Sequence, residues 1–428
     1  MNRLMIVAGT AIALAPASAL ASTSADEVRA IVAEMMADAE TRSSLLQSGG
    51  SAGYDGGFVI TDNADFSLKI NGLIQQRYTA FIQDDDNTVD DYEAGFSIPR
   101  AKLIFTGHAT DPNLTYRIQG EFSNQDGNAN GTFNLEEAYV GYTWDNGWAL
   151  YGGQVRLPVL WEDVVSEGGS LAADISVFAS VFQPGFSQGA WLQYGGEDVR
   201  GWLAFTDGAF SGNTDFFVPG GGIGDADYSF TSRVEFKLAG NDWSQFNTMS
   251  SAPGSDFGAK LGVAGHYQDG PDNDVPGNTE VEFFTYSVDL MLKGDGWNAF
   301  AAFAGRHIDA QTVGLPAAGE VDDFGFVVQG GVFIPETDWE LFARYDAIFA
   351  DEDYANDSDF NTLTLGTNWY ISGQNARFTF DVQYFFDATA DSDPVNNALA
   401  GGLAQNVSLI PTVDDGAVAL RAQFQLMF

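Results

Sequence analysis

The last twelve residues constrain the fold most. From Ala417 to Phe428 the chain alternates strictly: Val418, Leu420, Ala422, Phe424, Leu426 and Phe428 fall on one face of a strand, and Ala419, Arg421, Gln423, Gln425 and Met427 on the other. Successive strand residues point to opposite faces, so such a segment has one side in an apolar medium and one in a polar medium. An apolar-out, polar-in strand that ends on Phe has the form of the closing strand of an outer-membrane barrel. An edge strand of a soluble sheet would alternate in the same way, so the rest of the chain has to decide.

It repeats the unit. Alternating segments are read at 65–83, 94–109, 113–123, 133–144, 147–156, 187–195, 198–207, 227–239, 256–268, 281–293, 296–308, 322–333, 338–349, 360–371, 375–387 and 416–428, sixteen in all. The links between them take turns in length. Thr110-Asp111-Pro112, Asp145-Asn146, Gly196-Glu197, Gly294-Asp295, Pro335-Glu336-Thr337 and Ser372-Gly373-Gln374 are short, whereas 84–91, 125–131, 157–186, 208–226, 269–278, 350–359 and 388–415 are long. One even-to-odd link, Asn241 to Ser255, is longer than this parity predicts. A soluble sandwich has no reason to keep such an alternation. Strands crossing a membrane with two unlike sides do, and an even number closes the ring without an unpaired edge in lipid. Aromatic residues near the short turns, Tyr142, Trp144, Trp148, Trp243, Trp297, Trp339, Trp369 and Tyr370, are expected in a belt at headgroup level. The fold class is therefore an all-β, sixteen-stranded antiparallel transmembrane β-barrel over 65–428.

The N-terminal part differs. Arg3, the short apolar run Leu4–Leu14 and the Ala19-x-Ala21 pattern read as a signal peptide, 1–21, cleaved after Ala21. The run is too short to span a bilayer, and no later run approaches the ~20 residues a spanning helix needs. Residues 22–50 hold a short periplasmic helix, with Val28, Ile31, Val32, Met35 and Ala39 on one face. So short a helix is marginal alone. It pairs as a coiled coil between protomers, packs on its own barrel, or frays. Residues 51–64 are read as a linker.

Composition narrows function. The chain has 34 Phe, 15 Tyr, 9 Trp and no Cys, and its formal charge is −41 from 59 acidic and 18 basic residues. That balance disfavours nucleic acid as a partner, because its phosphates need clustered cations. Only three His are present, at 108, 266 and 307, with no G-x-S-x-G or H-E-x-x-H pattern, so an enzyme is not expected. No protein-bound cofactor is expected. The acidic outer loops, Asp84-Asp85-Asp86, Asp269 to Asp274 and Asp351-Glu352-Asp353, are either plainly solvated or bridged loosely by divalent cations to lipopolysaccharide.

Alternation assigns the pore wall. Arg77 shares a face with Lys69, Asn71 and Gln75; Arg100 and Lys102 share one; Arg117 lies with Gln119 and Glu121; Arg156 lies with Gln154. A charge facing lipid costs about 2–4 kcal/mol at the midplane, so these faces line water. Arg421 joins them where the last strand closes beside the first, and Arg344 is also lumenal. The long link 157–186 is apolar enough to fold inward as a constriction. Its Glu162, Asp163, Glu167 and Asp174 are expected to face the basic patch across the opening, so that a transverse field filters solutes.

Several segments carry a family resemblance. Gly57-Phe58-Val59-Ile60, Phe66–Tyr78, Phe96–Gly107, Asp111–Arg117, Leu135–Tyr142 and Gly153–Pro158 resemble the phosphate-selective porin O/P family. The resemblance implies a sixteen-stranded channel of the Gram-negative cell outer membrane, set in lipid and lipopolysaccharide and usually a homotrimer. It also implies an anion path. Here the residues depart from it, because 18 basic residues against 59 acidic ones leave no dense cation ladder. The function expected is a porin for ions and small hydrophilic solutes. Two alternatives stay open: a substrate-selective channel, in which a cation ladder would favour phosphate and an aromatic wall a sugar, or a mainly structural barrel tethering the envelope.

Overall fold

The computed structural model describes residues 50–62, 65–83, 92–122, 133–214, 226–270, 281–310, 319–400 and 414–428. The signal segment 1–21, the helix expected within 22–50, and most of the acidic runs at 84–91 and 269–274 lie outside the described residues. Sixteen strands form the barrel: β1 (Phe66–Ile82), β2 (Tyr92–Ala109), β3 (Asp111–Glu121), β4 (Asn134–Thr143), β5 (Trp148–Arg156), β6 (Phe186–Gly195), β7 (Val199–Thr206), β8 (Tyr228–Ala239), β9 (Gly258–Asp269), β10 (Val281–Gly294), β11 (Trp297–Ala310), β12 (Gly319–Phe333), β13 (Trp339–Phe349), β14 (Phe360–Ser372), β15 (Ala376–Phe385) and β16 (Val418–Met427). Each pairs antiparallel with the next. The ring closes where β16 pairs with β1, from Val418 opposite Ile82 to Met427 opposite Leu73. All sixteen segments read from the sequence are strands of this ring.

The burial is inverted relative to a soluble protein. On β7 and β8, Leu203, Phe205, Phe230, Val234 and Phe236 are exposed on the outer surface, while Arg233 is 1% and Glu235 0% exposed inside. Lys260, Gln268, Asp289, Arg344, Arg377 and Arg421 are buried inside as well. Apolar side chains outward and charged side chains inward are stable only when lipid surrounds the ring.

The short connections are tight. Gly147, at φ 84°, and Gly296, at φ 71°, occupy the left-handed region that favours glycine, and Trp144 N–H donates to Trp148 O at 2.8 Å. Tyr142, Trp144, Trp148, Trp297, Trp339 and Trp369 are exposed beside these turns, as a belt requires. Two expected belt residues are not in it. Tyr370 is buried and donates its hydroxyl to Glu340 in the lumen, and Trp243 turns inward, its Nε1–H donating to Gly196 O at 2.9 Å. The segment read as a linker also contains a strand, Phe58–Asp62, whose alternation lets it pair with β1 from Phe58 opposite Ile70 to Asp62 opposite Phe66.

The apolar core lies inside the barrel. The link 157–185 folds inward as a lobe with two short helices, α1 (Trp161–Val164) and α2 (Val177–Phe182), joined through a tight turn at Glu167–Gly169. Val159, Leu160, Trp161, Leu171, Ile175, Phe178 and Phe182 are buried against Met291, Phe300, Phe342, Phe360 and Phe385 of the wall. The long link after β8 also folds inward, which explains its departure from parity. Phe246 and Met249 are buried, and Met249 N–H donates to Gly169 O at 2.8 Å. Lys293 Nζ holds the link by donating to Gln245 O and Thr248 O, both at 2.7 Å.

Candidate functional site

The wall formed by β8 to β16 seizes the backbone of the inward lobe. Ser287 Oγ donates to Val159 O at 2.6 Å, Arg306 to Val181 O at 2.8 Å, Arg344 to Asp174 O at 2.8 Å and Asn368 to Leu171 O at 3.0 Å. In return Asp381 accepts from Ala173 N–H at 2.9 Å and Asp346 from Phe178 N–H at 3.2 Å. These bonds satisfy lobe backbone that lies away from water, a requirement for any buried loop.

The lobe acids do not stand across an opening from the basic patch; they touch it. Asp174 bonds Arg77 at 2.5 and 2.8 Å and Arg100 at 3.2 Å, and lies 3.5 Å from Arg421, which bonds Asp381 at 2.6 Å. Glu167 is 2.6 Å from Lys102 and 3.8 Å from Arg156, and Lys102 also bonds Glu136 at 2.7 Å. Asp163 pairs with Arg156 at 2.6 Å. Glu162 faces Arg344 at 3.4 Å and accepts from Ser176 N–H and Oγ–H at 3.0 and 2.6 Å. Arg117 pairs with Glu137, outside this group, on the inner half of the lumen. Ion pairs thus replace the two separated rows of charge expected from the sequence. The physical reason is desolvation: a charge carried inward on a packed lobe is tolerable only when directly paired.

The protonation equilibria of the lobe follow from this. Burial pushes the Asp174 carboxyl up, but Arg77, Arg100 and Arg421 outweigh it and hold it well below the usual carboxylate range. Glu167 is held down in the same way by Lys102, Arg156 and Arg100 against burial. For Glu162 and Asp163 burial prevails over Arg344 and Arg156 respectively, and both are raised.

A second charged group was missed at the sequence level. Arg233 pairs with Glu235 and Asp289, each at 2.7 Å, and Lys260 with Glu235 at 2.7 Å; Arg200 also pairs with Glu235. Trp161 of the lobe sits on this group, with Lys260 Nζ 3.1 Å from its ring centroid and Arg200 and Arg233 at 5.5 and 5.6 Å. The signal was available: Arg233 and Glu235 alternate with Val234 and Phe236 just as Arg77 alternates with its neighbours.

Space remains beside the lobe, chiefly along β2 to β7. An inner cavity of ≈ 740 Å³ reaches toward the short turns and is lined by Arg117, Tyr139, Tyr151, Trp191, Arg200 and Trp202 among others. An outer cavity of ≈ 410 Å³ is lined by Arg100, Glu121, Glu136, Gln183, Phe210 and Asn213 among others. Both include Lys102, Arg156, Asp163, Glu167 and Phe186, so the two meet at that cluster. Of the predicted residues, Lys102, Arg117, Arg156, Asp163 and Glu167 line the inner cavity, and Arg100 the outer one. Arg77, Glu162, Asp174 and Arg421 lie in the buried contacts that hold the lobe.

Known proteins agree with this architecture. The anion-selective porin of Comamonas acidovorans superposes with a TM-score of 0.55 at 12% identity, covering 85% of this chain and 100% of that one. Salmonella typhi OmpF, in complex with daunomycin, gives 0.54 at 12% identity over 88% and 100%. OmpT of Vibrio cholerae in its trimer form gives 0.52 at 11% identity over 85% and 100%. At such identities the likeness is one of fold. No curated protein matches the sequence. The family model described as phosphate-selective porin O and P matches residues 69–219 and 333–425, more than half of the chain. The barrel with its inward lobe therefore belongs to the phosphate-selective porin O and P family and forms an outer-membrane channel for ions and small solutes.

Proposed function

We propose that solutes cross along the β2–β7 side of the lumen and pass a constriction set by Lys102, Arg156, Asp163 and Glu167. The observation that carries this reading is the meeting of the outer and inner cavities at those four side chains. Each cation there has a carboxylate within 2.6 Å, so the constriction offers paired charges and no ladder of free cations. Such a wall discriminates weakly between anions and cations and does not select phosphate. Small hydrophilic solutes and ions are the cargo. The acidic mouth enriches cations locally, over the 8–10 Å or so that salt leaves unscreened.

The working unit is a homotrimer in contact with outer-membrane lipid and lipopolysaccharide, a reading supported by the trimer form of the OmpT barrel. The chain acts as a channel and not as an enzyme. Reconstitution of the purified protein in planar bilayers tests the reading. Steady ohmic conductance with a small reversal potential in a KCl gradient is expected. A barrel that carries no current would be the structural tether, and strong anion selectivity would restore the phosphate path.

A further inference from the structure

Resting on that passage, we infer that its inner half holds a binding subsite for sugars, built from an aromatic platform on β4 to β7. Tyr139, Tyr151 and Trp191 form one cluster. Tyr151 and Trp191 are stacked, with centroids 5.4 Å apart and 14° between planes, and Tyr139 meets them edge-on at 5.7 and 5.2 Å. Trp202 continues the row one strand further on, opposite Gln193. All four line the inner cavity.

The backbone beneath leaves room for the Tyr151 ring. A Cβ on Gly141 would stand 2.0 Å from the Tyr151 ring, and one on Gly153, at φ +139°, would stand 2.1 Å from Ala138 O, so β4 and β5 approach closely beneath the platform. Trp191 is the buried backing at 5% exposure, while Tyr139, Tyr151 and Trp202 keep part of their surface open to the cavity.

The polar groups around the platform decide the ligand class. The five cations facing the cavity are Lys102, Arg117, Arg156, Arg200 and Arg233, and each is already in contact with a carboxylate: Glu167, Glu137, Asp163, Glu235 and Asp289 respectively. An anionic solute would have to compete with those carboxylates. A hydroxyl both donates and accepts, so it is satisfied by a charge pair as it stands. Arg117 and Glu137 remain 28% and 15% exposed and are the accessible pair beside Tyr139. A pyranose has an apolar C–H face to lay on an aromatic ring and a rim of hydroxyls, which is what this wall presents. At ≈ 740 Å³ the cavity takes a short oligosaccharide, within the roughly 300–1,000 Å³ typical of small-molecule sites.

The test uses the full chain and maltotriose. In planar bilayers maltotriose should reduce the ion current saturably at millimolar concentration. On protein in detergent it should change tryptophan fluorescence over the same range. Trp202→Ala should weaken both about fivefold, as loss of one aromatic contact implies, and Trp202→Phe should restore them. Heat-modified migration checks that each variant is folded. No saturable response in either measurement overturns the proposal, as does block by benzoate with none by maltotriose. Saturable fluorescence without any ion current would instead sink the passage and leave the subsite standing.

Discussion

Replacing Glu167 by Gln removes one negative charge from the point where the two cavities meet. Its carboxylate lies 2.6 Å from Lys102 Nζ and 3.8 Å from Arg156 Nη2, with its side chain 18% exposed. Lys102 keeps Glu136 at 2.7 Å and Arg156 keeps Asp163 at 2.6 Å, so neither cation is stranded and the lobe stays anchored. For a monovalent ion about 6 Å away, the lost charge is worth about 0.7 kcal/mol in a water-like medium, and about 0.4 kcal/mol after screening in 0.1 M salt. Cation and anion shift in opposite senses, so the potassium-to-chloride permeability ratio should fall about threefold to fourfold. In a roughly tenfold KCl gradient the reversal potential then moves about 25 mV toward the chloride potential. Glu162→Gln is the control, because Glu162 faces Arg344 and Ser176 inside the anchored side and lines neither cavity. An unchanged reversal potential in a Glu167→Gln barrel of normal conductance and folding would refute the path along β2 to β7. A shift as large from Glu162→Gln would place the path on the wrong side of the lobe.

Further outcomes follow from the same contacts. Asp174→Asn leaves Arg77, Arg100 and Arg421 without their shared buried carboxylate, and should destabilise the lobe by about 3–5 kcal/mol, read as protease cleavage within 157–185. The carboxyls of Asp174 and Glu167 are depressed in the folded state, so the stability they contribute is complete above the usual carboxylate pKa of about 4 and fades only as pH falls through their lower folded values. Protease resistance should therefore not fall between pH 7 and about pH 5, and a loss within that window would contradict the pairing; ion preference is the less even readout, because burial raises the Asp163 carboxyl and its protonation removes a negative charge from the constriction. Lys293→Met releases the carbonyls of Gln245 and Thr248 and loosens the inner link from Gly169, so the open-channel current should become noisier. Phe205→Arg sets a charge on the lipid face and should cost about 2–4 kcal/mol in a folding titration into vesicles if it lies near the midplane.

The sequence by itself determined the barrel. The medium imposes a choice on every second residue, so facing is local information: Val234 out and Arg233 in can be read without knowing any contact partner. Link length is local as well, and it brought out both the sidedness and the odd link at 241–255. Tertiary structure alone decided the site. Asp174 meets Arg77 across 97 positions and Arg77 meets Gln423 across 346, contacts that exist only after the ring closes and the lobe folds into it. The lobe acids were legible as charges near a basic patch, but not as its direct partners, because the cost of leaving a buried charge unpaired acts only once the lobe is packed. Trp243 and Tyr370 carry the same local pattern as the belt, yet the inward link and the Glu340 network draw them inside. The aromatic platform was invisible for a related reason. Tyr139, Tyr151, Trp191 and Trp202 come from four strands, and only the register of those strands sets them side by side.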